Sequence, residues 1–194
     1  MIYYAILGIV GLLLLGKKEE ISDAIEVRMD SWNQYDSFFK KSAEKYSVDW
    51  TWLKAIALNE SSLGKHPRVA RGLLVPSDIE GSKSEDGKSW GLMQVTVPTA
   101  RDFDKSATEE KLNNAEYSID IAAKFVAFLK KQFPPNDPRL TEWIIKSYNQ
   151  GAGNTKKERS GAIAGYAAQY WDKFQKNLKK IGRASCRERV SSPV

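Results

Sequence analysis

Residues 50–61 read WTWLKAIALNES, and their pattern predicts a helix. Asp49 precedes it and can cap a helix, and apolar side chains at helical spacing run along it as far as Glu60. A carboxyl group at the end of an apolar helix loses water, which raises its pKa and keeps it protonated near neutral pH. That is the state a general acid needs, but Glu60 alone is more simply explained as a solvated residue at a helix terminus.

The sequence on both sides of this stretch is also helical. Aromatic residues over 32–46 lie mostly three and four positions apart, which is typical of a helix. The pattern further predicts helices over 115–133 and 141–148, the second ending at Gly151-Ala152-Gly153-Asn154, and a last helix over 162–179. No alternating strand pattern of useful length is present, so the sequence predicts a mainly α domain.

The segment between these helices is rich in turn residues. Residues 64–88 combine Gly, Ser, Pro and charge and predict a long loop, a feature that is often functional in compact domains. A short helix is expected after Gly91 and another near Thr99. Thr108, followed by two glutamates, predicts a further helical turn.

The N-terminal segment differs from the rest of the chain. Ile2 to Leu15 contains no charged residue, and Lys17-Lys18 follows it. A helix of this length covers roughly 20–24 Å, less than a hydrocarbon core of about 30 Å. It suits a short membrane anchor or the apolar part of a signal peptide. Because no basic region precedes it and no small-residue cleavage site follows it, we interpret residues 1–16 as an uncleaved anchor and 17–31 as a linker.

The C-terminal segment and the charge balance limit the partners. Residues 181–190 read IGRASCRERV, which resembles translated sequencing adapter, so residues 181–194 are predicted to be a non-native tail that contains the only cysteine, Cys186. Without the tail, the net charge falls from +6 to +4 because three Arg and one Glu are removed. Basic and acidic residues are interspersed, so no stripe of positive charge indicates a nucleic-acid partner.

Three further segments carry polar groups beside apolar ones. Gly91-Leu92-Met93-Gln94 follows Ser89-Trp90, and Ser147-Tyr148-Asn149-Gln150-Gly151 places a phenol and an amide at a helix end. Tyr166 and Tyr170 lie four residues apart, on one helical face. Taken singly, these segments are explained by a tight turn, by helix capping and by core packing.

In this order, the segments resemble the SLT-type lytic transglycosylase family, which has a lysozyme-like fold and is related to goose-type lysozyme. The matches are Glu60-Ser61, Gly91 to Gln94, Tyr148-Asn149-x-Gly151 and a later tyrosine, Tyr166. Ser147 stands where the family usually has Ala. The resemblance implies a lysozyme-like domain over residues 32–180, preceded by the single anchor helix.

The resemblance also implies the chemistry. Glu60 is expected to act first as acid and then as base in cleaving the bond between N-acetylmuramic acid and N-acetylglucosamine, with formation of a 1,6-anhydro ring. Met93 and Gln94 are expected to line the groove, and Tyr166 to lie close to the carboxyl group. The residues expected to bind substrate are Ser61, Ser89, Met93, Gln94, Tyr148, Asn149 and Tyr166.

Two other functions remain open. Asp86, five residues before Gly91, lies near the position of an acidic residue in goose-type lysozymes. It is the candidate second carboxylate of a hydrolysing muramidase, although an exposed Asp-Gly turn explains it more simply. A catalytically inactive wall-binding protein is the other alternative. His66 is the single histidine, so neither a metal site nor a cofactor is expected.

The expected partners follow from these features. Peptidoglycan strands are the expected substrate, and the N-terminal helix is expected to hold the domain at a membrane, facing the periplasm or cell wall, or in a virion membrane. A phage virion or a secretion complex suits a small anchored enzyme without a recognisable wall-binding module.

Overall fold

The computed structural model describes residues 32–64 and 89–191, with side chains as far as Ala184. The chain divides into two compact units, Met1–Asp36 and Ser37–Val194. In the first unit, residues 32–33 are helical and residues 34–35 form a turn before α1 begins. The anchor and linker predicted for residues 1–31 lie outside the described residues. Within the described part, no helix combines the length and apolar character needed to cross a bilayer.

The described residues are mainly helical, as the sequence predicts. Their helices are α1 (Asp36–Tyr46), α2 (Trp50–Ser61), α3 (Val97–Arg101), α4 (Glu109–Asn113), α5 (Ala115–Lys130), α6 (Leu140–Gln150), α7 (Ala152–Arg159) and α8 (Ala168–Ser191). Two short strands, β1 (Ser89–Trp90) and β2 (Val95–Thr96), form an antiparallel hairpin before α3.

Side-chain caps fix where several helices begin. Asp49 Oδ1 accepts the backbone N–H of Thr51 at 2.8 Å, which confirms the predicted cap of α2. Thr108 accepts the N–H of Lys111 at 3.2 Å and starts α4, also as predicted. Asn114, which the sequence did not single out, caps α5 in the same way.

The core forms around α2 and its neighbours. Leu53, Ile56 and Ala57 of α2 are fully buried. Helix α8 packs along α2, while α6 packs against α5, α7 and α8. Phe174 of α8 is also fully buried and stacks on Trp171, with 5.6 Å between ring centroids. This packing brings the C-terminal end of α2 against α8.

The segment after Gly91 is a hairpin turn, so the short helix predicted there is wrong. Strand β1 pairs with β2, with Ser89 opposite Thr96. Gly91 and Gln94 both have positive φ, 73° and 48°, which a helix does not allow. A side chain at Gly91 would also place its Cβ 1.8 Å from the carbonyl oxygen of Leu112. Glycine is therefore required at this close approach.

Helix α7 is not predicted by the sequence pattern. Gly151 does end α6, as predicted, and its φ of 80° turns the chain. A new helix then begins at Ala152, within the Gly-Ala-Gly-Asn run that was expected only to end α6. Thr155 is the only buried residue of α7. A helix with almost no buried face gives no apolar periodicity from which to predict it.

The last helix begins later than predicted, at Ala168 rather than residue 162. Before it, the N–H groups of Tyr166 and Ala167 bond to the Gln150 side chain instead of to helical carbonyls. Helix α8 continues to Ser191, and Ile181 is buried. That residues 181–194 are a non-native tail stays a prediction.

Candidate active site

Glu60 lies in the last turn of α2. Its Oε1 atom accepts a hydrogen bond from the Tyr170 hydroxyl, with 2.6 Å between the oxygens. The residue keeps some exposed surface, but protein surrounds its carboxyl group, and this burial raises the pKa of Glu60 to about 7. The hydrogen bond from Tyr170 and the charge of Lys173 oppose the shift. Glu60 therefore gains and loses its proton near neutral pH.

The tyrosine that contacts Glu60 is Tyr170, whereas the sequence analysis gave that place to Tyr166. Tyr166 lies in the loop before α8, is 66% exposed, and donates its hydroxyl to the Gln150 carbonyl at 3.3 Å. Tyr170 lies one turn later, in the helix that packs along α2. Burial and the charge of Glu60 raise the pKa of Tyr170 well above its ordinary value, so it remains a donor at neutral pH.

A second set of contacts holds the end of α2 against α8. Asn59 donates its side-chain amide to the carbonyl of Tyr170 at 3.1 Å and accepts from Asn177 at 2.8 Å. Lys173 donates to the Asn59 carbonyl at 2.6 Å. Asn59, Lys173 and Asn177 were not predicted from the sequence. For Lys173 and Asn177, the sequence holds one indication: residues 170, 173 and 177 are spaced so that they lie on one face of a helix.

Ser61 joins α2 to the hairpin. Its hydroxyl donates to the carbonyl of Leu92 at 2.7 Å and accepts from the N–H of Gly64 at 3.0 Å. Ser61 is almost fully buried. Ser61, which was predicted to bind substrate, thus fixes the position of the hairpin beside Glu60.

Tyr148 connects α6 to the same hairpin. Its hydroxyl donates to the Met93 carbonyl at 2.8 Å, and Phe125 packs on its ring with 5.3 Å between centroids. Burial raises the pKa of Tyr148 well above its ordinary value, and the charge of Glu60 adds to the rise. The Met93 side chain is fully buried, so it packs inside the domain, whereas the sequence analysis placed it on the groove wall.

Gln94 closes the turn and leaves one acceptor unused. Its Nε2 donates to the Gly91 carbonyl at 2.8 Å, while its buried Oε1 has no partner among the described residues. Because that oxygen is enclosed by protein, a ligand can reach it only if the turn moves. Asn149 is exposed at the end of α6, and Ser89 is partly exposed on β1.

The alternative residues of the sequence analysis, Asp86 and His66, lie outside the described residues. Within the part of the chain that the structure describes, no three His, Cys, Asp or Glu side chains come together in a way that could hold a metal ion.

Comparison with known proteins identifies the family. Membrane-bound lytic murein transglycosylase F of Hahella chejuensis is 27% identical over 137 residues, 70% of this chain and 23% of that protein. The protein of the same name from Pseudomonas syringae pv. syringae is 30% identical over 153 residues, 77% of this chain and 27% of that protein. This chain thus spans about a quarter of the length of these relatives. The family model of the transglycosylase SLT domain matches residues 37–169, well over half of the chain, and the chain belongs to that family.

Proposed function

We propose that this domain is a lytic transglycosylase that cleaves the β-1,4 bond between N-acetylmuramic acid and N-acetylglucosamine in peptidoglycan. Membership of the SLT family and relatives named lytic murein transglycosylase support this class of reaction. The observation that carries the proposal is the Glu60 carboxyl group, which has a pKa of about 7 and lies 2.6 Å from the Tyr170 hydroxyl.

In the first half of the reaction, Glu60 acts as the acid. It donates its proton to the glycosidic oxygen while the bond between that oxygen and the anomeric carbon of the muramoyl residue breaks. Positive charge develops on the muramoyl ring as the carboxyl group becomes negative, so the two charges stabilise each other. The bond from Tyr170 strengthens as the carboxylate forms, because hydrogen bonds to ionised acceptors are stronger than neutral ones.

In the second half, Glu60 acts as the base. The C6 hydroxyl of the muramoyl residue attacks its anomeric carbon and gives its proton to Glu60, which closes a 1,6-anhydro ring. The carboxyl group returns to its protonated form, and no water is consumed. A pair of carboxylates, which ordinary glycosidases use, is therefore unnecessary. Among the described residues, two groups shift the pKa of Glu60: the Tyr170 hydroxyl and the Lys173 ammonium. Neither is a carboxylate.

Substrate binding is expected to use polar groups of the hairpin, of the end of α6 and of the loop before α8. The Gln94 amide suits a sugar hydroxyl or an N-acetyl N–H once a movement of the turn exposes its buried Oε1. The exposed amide of Asn149 and the hydroxyls of Ser89 and Tyr166 offer further directional bonds. Tyr148 and Ser61 contribute by holding the hairpin in place.

We further propose that Ile2–Leu15 anchors the enzyme in a membrane, with the domain acting on the wall. The segment has no charged residue, and the relatives carry "membrane-bound" in their names. A phage virion membrane and a secretion complex are settings that suit this arrangement. Leu12→Arg together with Leu13→Arg should move the chain from the membrane fraction to the soluble fraction. Retention of that variant in the membrane fraction would contradict the anchor.

Digestion of purified peptidoglycan by the full-length chain tests the reaction. Muropeptides one water lighter than their reducing-end counterparts, and resistant to borohydride, are expected. Full-mass reducible products would mean hydrolysis and direct attention to Asp86, and no release by folded protein would favour a wall-binding role. Glu60→Gln is the matched control: it keeps an acceptor for Tyr170 but cannot supply a proton, so release should fall at least about 100-fold.

A further inference from the structure

The side chain of Gln150 joins three segments of the domain. It is only 4% exposed, and both ends of its amide are hydrogen-bonded. Nε2 donates to Glu158 Oε2 at 2.6 Å and to Thr155 Oγ1 at 3.2 Å, both in α7. Oε1 accepts the backbone N–H groups of Tyr166 and Ala167, each at 3.1 Å. The amide thereby connects the end of α6 with α7 and with the start of α8.

The bonds to Oε1 lead directly to the active site. Ala167 is fully buried, and its carbonyl accepts the N–H of Trp171 at 3.0 Å, the bond that opens α8. Tyr170 follows Ala167 by three residues, within the first turn of that helix, and its hydroxyl contacts Glu60. A shift in the position of Ala167 therefore shifts the hydroxyl that holds the catalytic carboxyl group.

Glu158, which accepts the hydrogen bond from Gln150 Nε2, is itself held in place by Lys146. Glu158 Oε1 accepts from Lys146 at 2.5 Å, and Lys146 in turn lies 2.9 Å from Glu142. The backbone of Gly165 approaches so closely that a Cβ there would lie 1.9 Å from Glu158 Oε2. Because Glu158 is held on these sides, residue 150 must present a hydrogen-bond donor to its Oε2. A carboxylate in place of Gln150 would set two like charges against each other.

We propose that Gln150 is a positioning residue for the Tyr170–Glu60 pair: it holds the start of α8 so that the Tyr170 hydroxyl meets the carboxyl group. It acts through Tyr170 and contacts neither Glu60 nor substrate. The motif Tyr-Asn-x-Gly leaves this position unspecified, so the role comes from the contacts of this chain. Its effect on turnover depends on the proposed function, whereas its effect on Glu60 does not.

A double-mutant cycle tests this role without using activity. The pKa of Glu60 is measured by carboxyl-carbon NMR titration of the full-length chain, in which Tyr170 and Lys173 of α8 and Tyr148 of α6 face the carboxyl group. Q150A should raise that pKa by about half a unit or more, because it weakens a hydrogen bond to the carboxylate. On a Y170F background, Q150A should cause no further change. An equal shift on both backgrounds would overturn the proposal.

Two matched variants separate positioning from general loosening. T155V removes the other partner of Nε2 in a buried part of α7 and leaves the bonds to α8 intact, so the Glu60 pKa should not move. A shift as large as that of Q150A would overturn the proposal. The double variant Q150E/E158Q exchanges the two side chains, so that an amide donor at position 158 faces a carboxylate acceptor at position 150. Its Glu60 pKa should equal the wild-type value, and this can be measured even if Q150A fails to fold. A folded exchange variant with a displaced pKa would count against the role.

Kinetics provide the second measurement. Q150A should lower kcat about tenfold with little change in KM, since misplacement of a catalytic group affects the transition state more than substrate binding. The exchange variant should recover most of that loss. A change in KM alone would contradict positioning. Absence of cleavage by the wild-type chain would count against the proposed function, and the titration would still decide the role of Gln150.

Discussion

The hydroxyl of Tyr170 lies 2.6 Å from Glu60 Oε1, although the two residues are 110 positions apart in the chain. The contact exists because α8 packs along α2 and Asn59 bonds to the Tyr170 carbonyl. Burial raises the pKa of the carboxyl group, while Tyr170 and Lys173 lower it. The value of about 7 is therefore a balance between desolvation and two stabilising contacts on α8.

Removing the Tyr170 hydroxyl should shift this balance toward the protonated acid. In Tyr170→Phe the carboxylate loses a donor, so the pKa of Glu60 should rise by about one unit above its wild-type value. The alkaline limb of the activity profile should move to higher pH by the same amount, because the acid form persists longer. The rate of muropeptide release between about pH 5 and pH 9 measures the shift.

Tyr46→Phe is the matched control for this substitution. The Tyr46 hydroxyl also donates to a carboxylate, that of Asp120, at 3.0 Å, but neither residue contacts the candidate site. The control should leave the pH profile of activity in place. An unchanged profile in Tyr170→Phe would mean that the alkaline limb does not report Glu60.

The raised pKa of Glu60 also makes stability depend on pH. The folded chain binds this proton more tightly than the unfolded chain, with a pKa of about 7 against an ordinary 4.5. The stabilisation is complete below the lower value and is lost as the pH rises through the higher one. Glu60→Gln has no titrating carboxyl group at this position, so it does not lose this stabilisation. The free energy of unfolding of the variant relative to that of the wild type should therefore increase by about 2 to 3 kcal/mol from pH 4 to pH 8.

Urea unfolding of both proteins at these two pH values measures the difference. Glu116→Gln, at an exposed ion pair with Lys41, is the control. The difference between its free energy of unfolding and that of the wild type should change little with pH. A constant difference between Glu60→Gln and the wild type across the range would contradict a buried, titrating carboxyl group.

The sequence predicted the elements that depend on local pattern. The apolar spacing of α2, its Asp49 cap and the position of Glu60 at the end of the helix follow from residues close together in the chain. The helical character of the domain follows for the same reason. Family motifs added the residues Gly91 to Gln94 and Tyr148-Asn149, which the structure brings to the same part of the domain as Glu60.

What the sequence left open depends on distant contacts. Tyr166 and Tyr170 have the same spacing signal, and contacts between distant elements, such as the packing of α8 along α2 and the Asn59 bond to the Tyr170 carbonyl, place Tyr170 against Glu60. The turn at Gly91 looks helical in the sequence, but the carbonyl of Leu112 excludes any side chain there. Side-chain orientation at these positions is set by packing between elements, which local propensity does not contain.

Ser147 is expected to reduce the stability of the domain. It is fully buried in α6, and its hydroxyl has no hydrogen-bond partner within the described residues. Since an unpaired buried hydroxyl loses its bonds to water, Ser147→Ala should raise the free energy of unfolding by about 1 kcal/mol. Ser118→Ala is the control: Ser118 is equally buried but accepts the Met93 N–H at 3.3 Å, so its loss should destabilise. Similar destabilisation by both variants in urea unfolding would mean that Ser147 has a partner.

Gly91 should be the least replaceable glycine among the described residues. Gly91→Ala combines an unfavourable φ of 73° with a Cβ placed 1.8 Å from the Leu112 carbonyl oxygen, so the hairpin must move. We expect a loss of about 3 kcal/mol or more in urea unfolding. Cleavage should fall as well, because the hairpin carries Gln94 and the carbonyl that Tyr148 bonds.

Gly153→Ala provides the matched control for the hairpin substitution. Gly153 lies in α7 with nothing within 4 Å of its added Cβ, so alanine there should be neutral or stabilise by up to about 1 kcal/mol. Equal stability of the two variants would show that the approach of Leu112 to Gly91 does not constrain the turn. A stable Gly91→Ala variant that retains its cleavage rate would mean that the hairpin does not position the active site.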